Sequence, residues 1–169
     1  METNRKEAVA ALHRAQIMTA AEKLFSEKGY AQTTIDDISK ASEYSRRTIY
    51  AYYDSKEDIL HHIIEKGLRS LKADIESAVN ENAVFTDACR AVCGAMKRYR
   101  REYPHSLDSL KRSGAEEIGQ AAASDTVKNI LRLGTEINET LEALFGAVPK
   151  EIEPDFREID FGYFEMKSY

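Results

Sequence analysis

An all-α fold is predicted by three features of this 169-residue chain. Apolar residues recur at helical spacing in one stretch after another, and no stretch alternates as a half-buried strand would. The only prolines are Pro104, Pro149 and Pro154, so the first 103 residues are free of the strongest helix breaker. No internal repeat or low-complexity segment interrupts the pattern.

The elements follow in order. Ile17, Ala20, Ala21, Leu24 and Phe25 mark a first helix that Gly29 should cap. Thr34 opens Thr-Ile-Asp-Asp, with an acidic residue three positions on, and so reads as a capping box. It starts a short second helix expected to bury Ile35, Ile38 and Ala41. Ser45 is an N-cap for a third helix, Arg46 to Tyr52, with Ile49 facing inward. Ser55 opens a long fourth helix whose stripe runs Leu60, Ile63, Ile64, Leu68, Leu71, Ile75 and Val79. Phe85, Ala88, Cys89, Val92, Cys93 and Met96 share one face of a fifth. Pro104 suits the first turn of a short helix burying Leu107 and Leu110. Ser113-Gly114 breaks the chain there. Val127, Ile130, Leu131, Ile137, Leu141, Leu144 and Phe145 mark a further helix capped by Gly146. A last amphipathic segment carries Phe156, Ile159, Tyr163 and Phe164.

Composition narrows the function classes. No segment reaches the roughly 18 consecutive apolar residues of a membrane span, and the first residues lack the apolar core of a secretion signal. Two cysteines are too few for a disulfide framework. A cytoplasmic protein without membrane contact is the simplest account. The net charge of −5 is uneven: residues 1–56 hold nine Lys/Arg against eight Asp/Glu, and the remainder 15 against 21. The relatively basic head would turn toward phosphate. An enzyme needs a positioned acid, base or nucleophile. The four histidines are scattered, and neither a Gly-rich phosphate loop nor a paired metal motif is present. No enzymatic activity, cofactor or metal is expected. Cys89 and Cys93, at i and i+4, read as small core residues rather than a redox or metal pair. His61 and His62 are adjacent and diverge by about 100° on a helix, a poor metal pair.

Two short helices separated by Ser42-Glu43-Tyr44 form a helix-turn-helix candidate. The second would enter the major groove and present Arg46, Arg47, Thr48 and Tyr52. Arginine donates two hydrogen bonds to guanine, and threonine meets a thymine methyl or a phosphate. Thr34, the tyrosines and Lys56 suit phosphate contacts. The alternative is a helical protein-interaction module without sequence-specific DNA binding, which leaves Arg46, Arg47 and Lys56 without a role.

Residues 17–60 carry AAEKLF, EKGY, TTIDDI, TIY and SKEDIL, and this combination resembles the head of the TetR family of transcriptional regulators. The resemblance covers about a quarter of the chain. It implies a repressor that binds a palindromic double-stranded DNA operator as a homodimer, with a divergent ligand-binding body and release when a small molecule binds. By position it implies a phosphate contact from Thr34, a base-reading face of Arg46, Arg47, Thr48 and Ala51 behind the Ser45 cap, and backbone contacts from Tyr50, Tyr52 and Lys56. The family commonly has glycine and then a small aliphatic residue before the recognition helix, where this chain has Glu43 and Tyr44. A left-handed Glu43 would cost roughly 1–2 kcal/mol. The family also dimerises through two C-terminal helices, and this chain is expected to end within or just after the first of them.

The expected organisation is a three-helix head, residues 1–54, joined by the long helix to a helical ligand-binding and dimerisation body, residues 55–169. Candidate pocket residues are Cys93, Met96, Tyr99, Tyr103 and His105. Their tyrosines favour an aromatic or apolar effector. The competing reading has Cys93 and Met96 as core packing.

Overall fold

The computed structural model describes residues 2–82, 84–104 and 124–145. Among them are six helices and no strand: α1 (Glu2–Lys28), α2 (Ile35–Ser42), α3 (Arg46–Tyr50), α4 (Lys56–Glu81), α5 (Phe85–Glu102) and α6 (Asp125–Phe145). The expected all-α class is what the chain adopts. The short helix after Pro104, the Gly146 cap and the last amphipathic segment lie outside the described residues.

The chain divides into two compact units, residues 1–63 and 64–169, and α4 supplies residues to both. In the first, Ile17, Ala21 and Phe25 of α1 are buried, as are Ile38 of α2, Ile49 of α3 and Ile59, Leu60 and Ile63 of α4. Ala41, expected inside, is exposed. α1 begins fifteen residues before the first of its expected apolar positions. Residues 5–16 have no inward stripe, and Val9 and Leu12 are exposed. Their Glu, Lys, Arg, Leu and Ala content favours helix by propensity, which a search for buried faces does not register.

In the second unit, Ile64, Leu68, Leu71 and Ile75 of α4 are buried, together with Cys89, Val92 and Met96 of α5 and Ile130, Leu133, Ile137 and Leu141 of α6. Polar bonds tie α4 to both neighbours. Arg98 on α5 donates to Asp74 at 3.0 Å, and Asn129 on α6 donates to Glu65 at 3.0 Å. α4 and α5 approach closely at Gly67. A methyl group there would stand 3.0 Å from the Tyr99 ring and 3.1 Å from the Tyr103 ring.

Gly67→Ala therefore sets two effects against each other. Helix propensity favours alanine by about 1 kcal/mol, whereas overpacking costs about 1–3 kcal/mol. Tyr99 is buried and stacked on Tyr103, so it has little room to retreat. The expected outcome is a net loss of about 1 kcal/mol in urea denaturation, relieved when Tyr103→Ala is added.

Candidate nucleic-acid interface

The interface rests on the loop between α1 and α2. Gly29 is left-handed (φ 85°), and its N–H donates to the Phe25 carbonyl at 3.1 Å, closing α1 as expected. Thr33, almost wholly buried, donates its hydroxyl to the Gly29 carbonyl at 2.8 Å. From the first turn of α4, the Lys56 ammonium reaches back to the carbonyls of Tyr30 and Thr33, both at 2.8 Å. It also lies over the Tyr30 ring, 4.2 Å from its centroid. Two of the three Lys56 donors are thereby used within the fold.

Thr34 forms the capping box of α2. Its hydroxyl accepts from the Asp37 N–H at 3.2 Å, and its own N–H donates to the Asp37 carboxylate at 2.9 Å. The hydroxyl proton also goes to that carboxylate, at 2.6 Å. Lys28 completes the cluster, 2.7 Å from Asp37. The Lys28 ammonium first, and then the Thr34 hydroxyl and N–H, hold the Asp37 carboxyl well below the usual carboxylate range.

The turn that follows is left-handed at Glu43 (φ 61°, ψ 17°), the one non-glycine residue with positive φ among the described residues. Ser45 then caps α3, its hydroxyl accepting from the Thr48 N–H at 3.1 Å and bonded to the Thr48 hydroxyl at 2.8 Å. The helix runs Arg46–Tyr50, ending before the expected Tyr52. The Ala51 N–H is shared between the carbonyls of Arg47 and Thr48, and the Tyr52 N–H reaches only to Ile49, a tightened last turn.

Around buried Ile49, the α3 side chains are placed as follows. Arg46 is exposed but paired with Asp36 of α2. Arg47, Tyr50 and Ala51 are exposed, and the Arg47 side chain has no hydrogen bond or ion pair among the described residues. Thr48 and Tyr52 are half-buried, and Thr48 is tied to the Ser45 cap. The Tyr52 hydroxyl is bonded to His13 Nδ1 of α1 at 3.0 Å, and the Arg14 guanidinium lies 5.5 Å from the centre of its ring. Tyr53 is buried and donates to the Arg14 carbonyl at 3.0 Å. Burial pushes its hydroxyl up to about 12, so it stays a donor. The nine expected contact residues thus share one region but differ in what they have left to offer. Arg47 and Tyr50 are open, whereas Thr34, Ser45, Arg46, Tyr52 and Lys56 already hold partners within the fold.

The expected pocket residues lie on α5 and just after it. Cys93, Met96 and Tyr99 are buried, and Tyr103 is half-buried and stacked on Tyr99 at 5.3 Å. His105 lies outside the described residues. Cys89 and Cys93 are free thiols, and burial pushes both upward, away from the reactive thiolate.

Comparison with known proteins places this arrangement. The model of the family described as bacterial regulatory proteins, tetR family, matches residues 17–63. The crystal structure of PfmR, a TetR family transcriptional regulator from Thermus thermophilus, matches with a TM-score of 0.60 at 31% identity. That match covers 85% of this chain and 75% of PfmR. The chain belongs to the TetR family. Among curated relatives, the HTH-type transcriptional regulator YhgD of Bacillus subtilis is 24% identical over 116 residues, 69% of this chain. IcaR of Staphylococcus epidermidis, negative transcriptional regulator of the biofilm operon icaADBC, is 46% identical over 50 residues, 30% of this chain. The matches span 60% of YhgD and 27% of IcaR, so the chain covers less than two thirds of either.

For a TetR-family head, Glu43 occupies the family's glycine position in the conformation that favours glycine. Glu43→Gly should relieve roughly 1–2 kcal/mol of left-handed strain, offset by the greater freedom of glycine in the unfolded chain. A net gain of about 0.5–1 kcal/mol is expected in chemical denaturation. The Asp37 cluster sets a pH dependence. Because its folded pKa is depressed, its stabilisation is present above the unfolded value of about 3.9 and is lost as pH falls through the folded one. Asp37→Asn should therefore flatten the fall of Tm below about pH 4; identical pH profiles would contradict it.

Proposed function

We propose that this chain is a transcriptional repressor that binds a palindromic operator as a homodimer and is released by a small-molecule ligand. The observation that carries this reading is the open Arg47–Tyr50–Ala51 edge of α3, on the helix that a helix-turn-helix protein lays in the major groove. Arg47 supplies the bidentate donor for a guanine edge, and Thr48 and Ala51 supply small apolar surface for a thymine methyl. Arg46 joins Arg47 on the base-reading face beside the Ser45 cap, while Thr34, Tyr50, Tyr52 and Lys56 orient the head on phosphates. Of these, Arg46 would exchange Asp36 for DNA, and Lys56 would use its third donor. The similarity of 50 residues of this chain to IcaR, a negative regulator, supports repression over activation.

Residues 1–54 then form the DNA-binding domain and residues 55–169 the ligand-binding and dimerisation domain. The effector is an aromatic or apolar molecule that displaces or joins the side chains of Cys93, Met96, Tyr99 and Tyr103. Ligand acts through α4, which belongs to both units. A shift of α4 changes the spacing of two recognition helices that must stand about 34–36 Å apart, or a multiple of it, on the operator. Release requires that ligand bind the DNA-incompetent state more tightly.

The test is fluorescence anisotropy on duplexes selected from a randomised library, followed by a salt titration. A palindrome should be enriched, with affinity falling steeply in salt. Arg47→Ala should weaken binding by about 1–3 kcal/mol and relax sequence preference at one position of each half-site. Failure to enrich any duplex at low salt, or an unchanged affinity for Arg47→Ala, would contradict the assignment.

A further inference from the structure

Both ends of α3 converge on one turn of α1, and this convergence has no counterpart in the helix-turn-helix pattern itself. At the leading end, the Tyr44 ring packs on the His13 ring with centroids 5.0 Å apart, and its hydroxyl donates to Gln16 Oε1 at 2.5 Å. The Tyr44 carbonyl accepts from the Ser39 hydroxyl at 2.6 Å, so that residue is fixed from α2 as well. At the trailing end, the Tyr52 ring meets His13 at 5.8 Å, nearly perpendicular, and the two are hydrogen-bonded. The His13 ring thus touches both tyrosines.

We infer that His13 is a positioning residue for DNA recognition: clamped between Tyr44 and Tyr52, it sets the angle at which α3 presents Arg47. The inference rests on the DNA-binding reading above and adds a determinant outside the helix-turn-helix. Three features carry it. α3 spans five residues and has no stability of its own. The two rings that hold it flank it in sequence, Tyr44 just before its cap and Tyr52 just after its end. Their common anchor lies on a separate helix, 39 residues from Tyr52. Tyr44 stands where the family commonly has a small aliphatic side chain, too short to reach His13 and Gln16 together. The clamp is thus a compensation built into this chain: the left-handed Glu43 strains the turn, and the adjacent tyrosine pins it.

The clamp is tested on His13→Ala and Tyr44→Phe in the full chain, with two readouts. The first needs no DNA. Hydrogen exchange of the amides from Ser45 to Tyr53 should quicken in His13→Ala by about tenfold, with the α5 and α6 amides unchanged. The second uses a duplex selected by the wild-type chain and a scrambled duplex of equal length. His13→Ala should lose about tenfold in affinity for the selected duplex. It should keep its affinity for the scrambled one and its salt slope, since phosphate attraction does not depend on α3 angle. Tyr44→Phe, which keeps the ring and loses the hydroxyl, should fall between wild type and His13→Ala in both. Unchanged exchange in α3 overturns the clamp. Equal losses on both duplexes make His13 a phosphate contact and overturn its positioning role. If exchange responds but the wild-type chain selects no duplex, the operator-binding reading fails, and the positioning role in recognition fails with it. A selected duplex bound equally by wild type and His13→Ala overturns this inference alone.

Discussion

A helix of five residues closes little more than one turn, and isolated helices shorter than about 12–15 residues are marginal in water even with favourable sequences. α3 is such a helix, yet the TetR-family head depends on its placement. Tertiary contacts must supply what local propensity does not. Buried Ile49 anchors the middle, Ser45 caps the start, and Tyr53 ties the end to the Arg14 carbonyl through a hydroxyl kept protonated by burial. The outer surface of α3 is left to Arg47, Tyr50 and Ala51 because the inward-facing positions are already engaged.

The same economy of side chains governs the rest of the head. Lys56 and Thr34 sit at helix starts where phosphates commonly bind, and both also hold the protein together. Lys56 donates to two loop carbonyls between α1 and α2, and Thr34 shares Asp37 with Lys28. In the second unit, α4 is fixed against α5 by the Tyr99–Tyr103 pair on Gly67 and against α6 by Glu65. Glu65 accepts from Arg69 of its own helix and from Asn129. These contacts hold the second-unit part of α4 against its neighbours.

Features encoded by local chemistry were legible in the sequence. The Thr34 capping box, the Ser45 cap, the Gly29 termination and the α4 stripe from Leu60 to Ile75 depend on residues a few positions apart, so spacing reveals them. The left-handed state of Glu43 was flagged by its departure from the family's glycine. What escaped was set by partners distant in sequence. Nothing in the local pattern around Tyr52 indicates that His13 holds its hydroxyl, or around Lys56 that Tyr30 and Thr33 use its donors. His13, Gln16 and Asp36 were missed for the same reason. The unusual size of Tyr44 was the one local signal that pointed toward them. The first fifteen residues of α1 escaped because propensity, not a buried face, makes them helical. Residue type alone marks Tyr99 and Tyr103 as pocket candidates, and it carries no sign of their packing on Gly67, a glycine one helix earlier in the chain.

All of this turns on α3 being the surface that meets DNA. An amide-resolved NMR titration of the isotope-labelled chain with a selected duplex examines that surface directly. The largest shift changes are expected on Ser45 to Ala51 and on Thr34, with those of α6 small. Changes confined to α5 and α6, with the α3 amides unmoved at saturation, would contradict it.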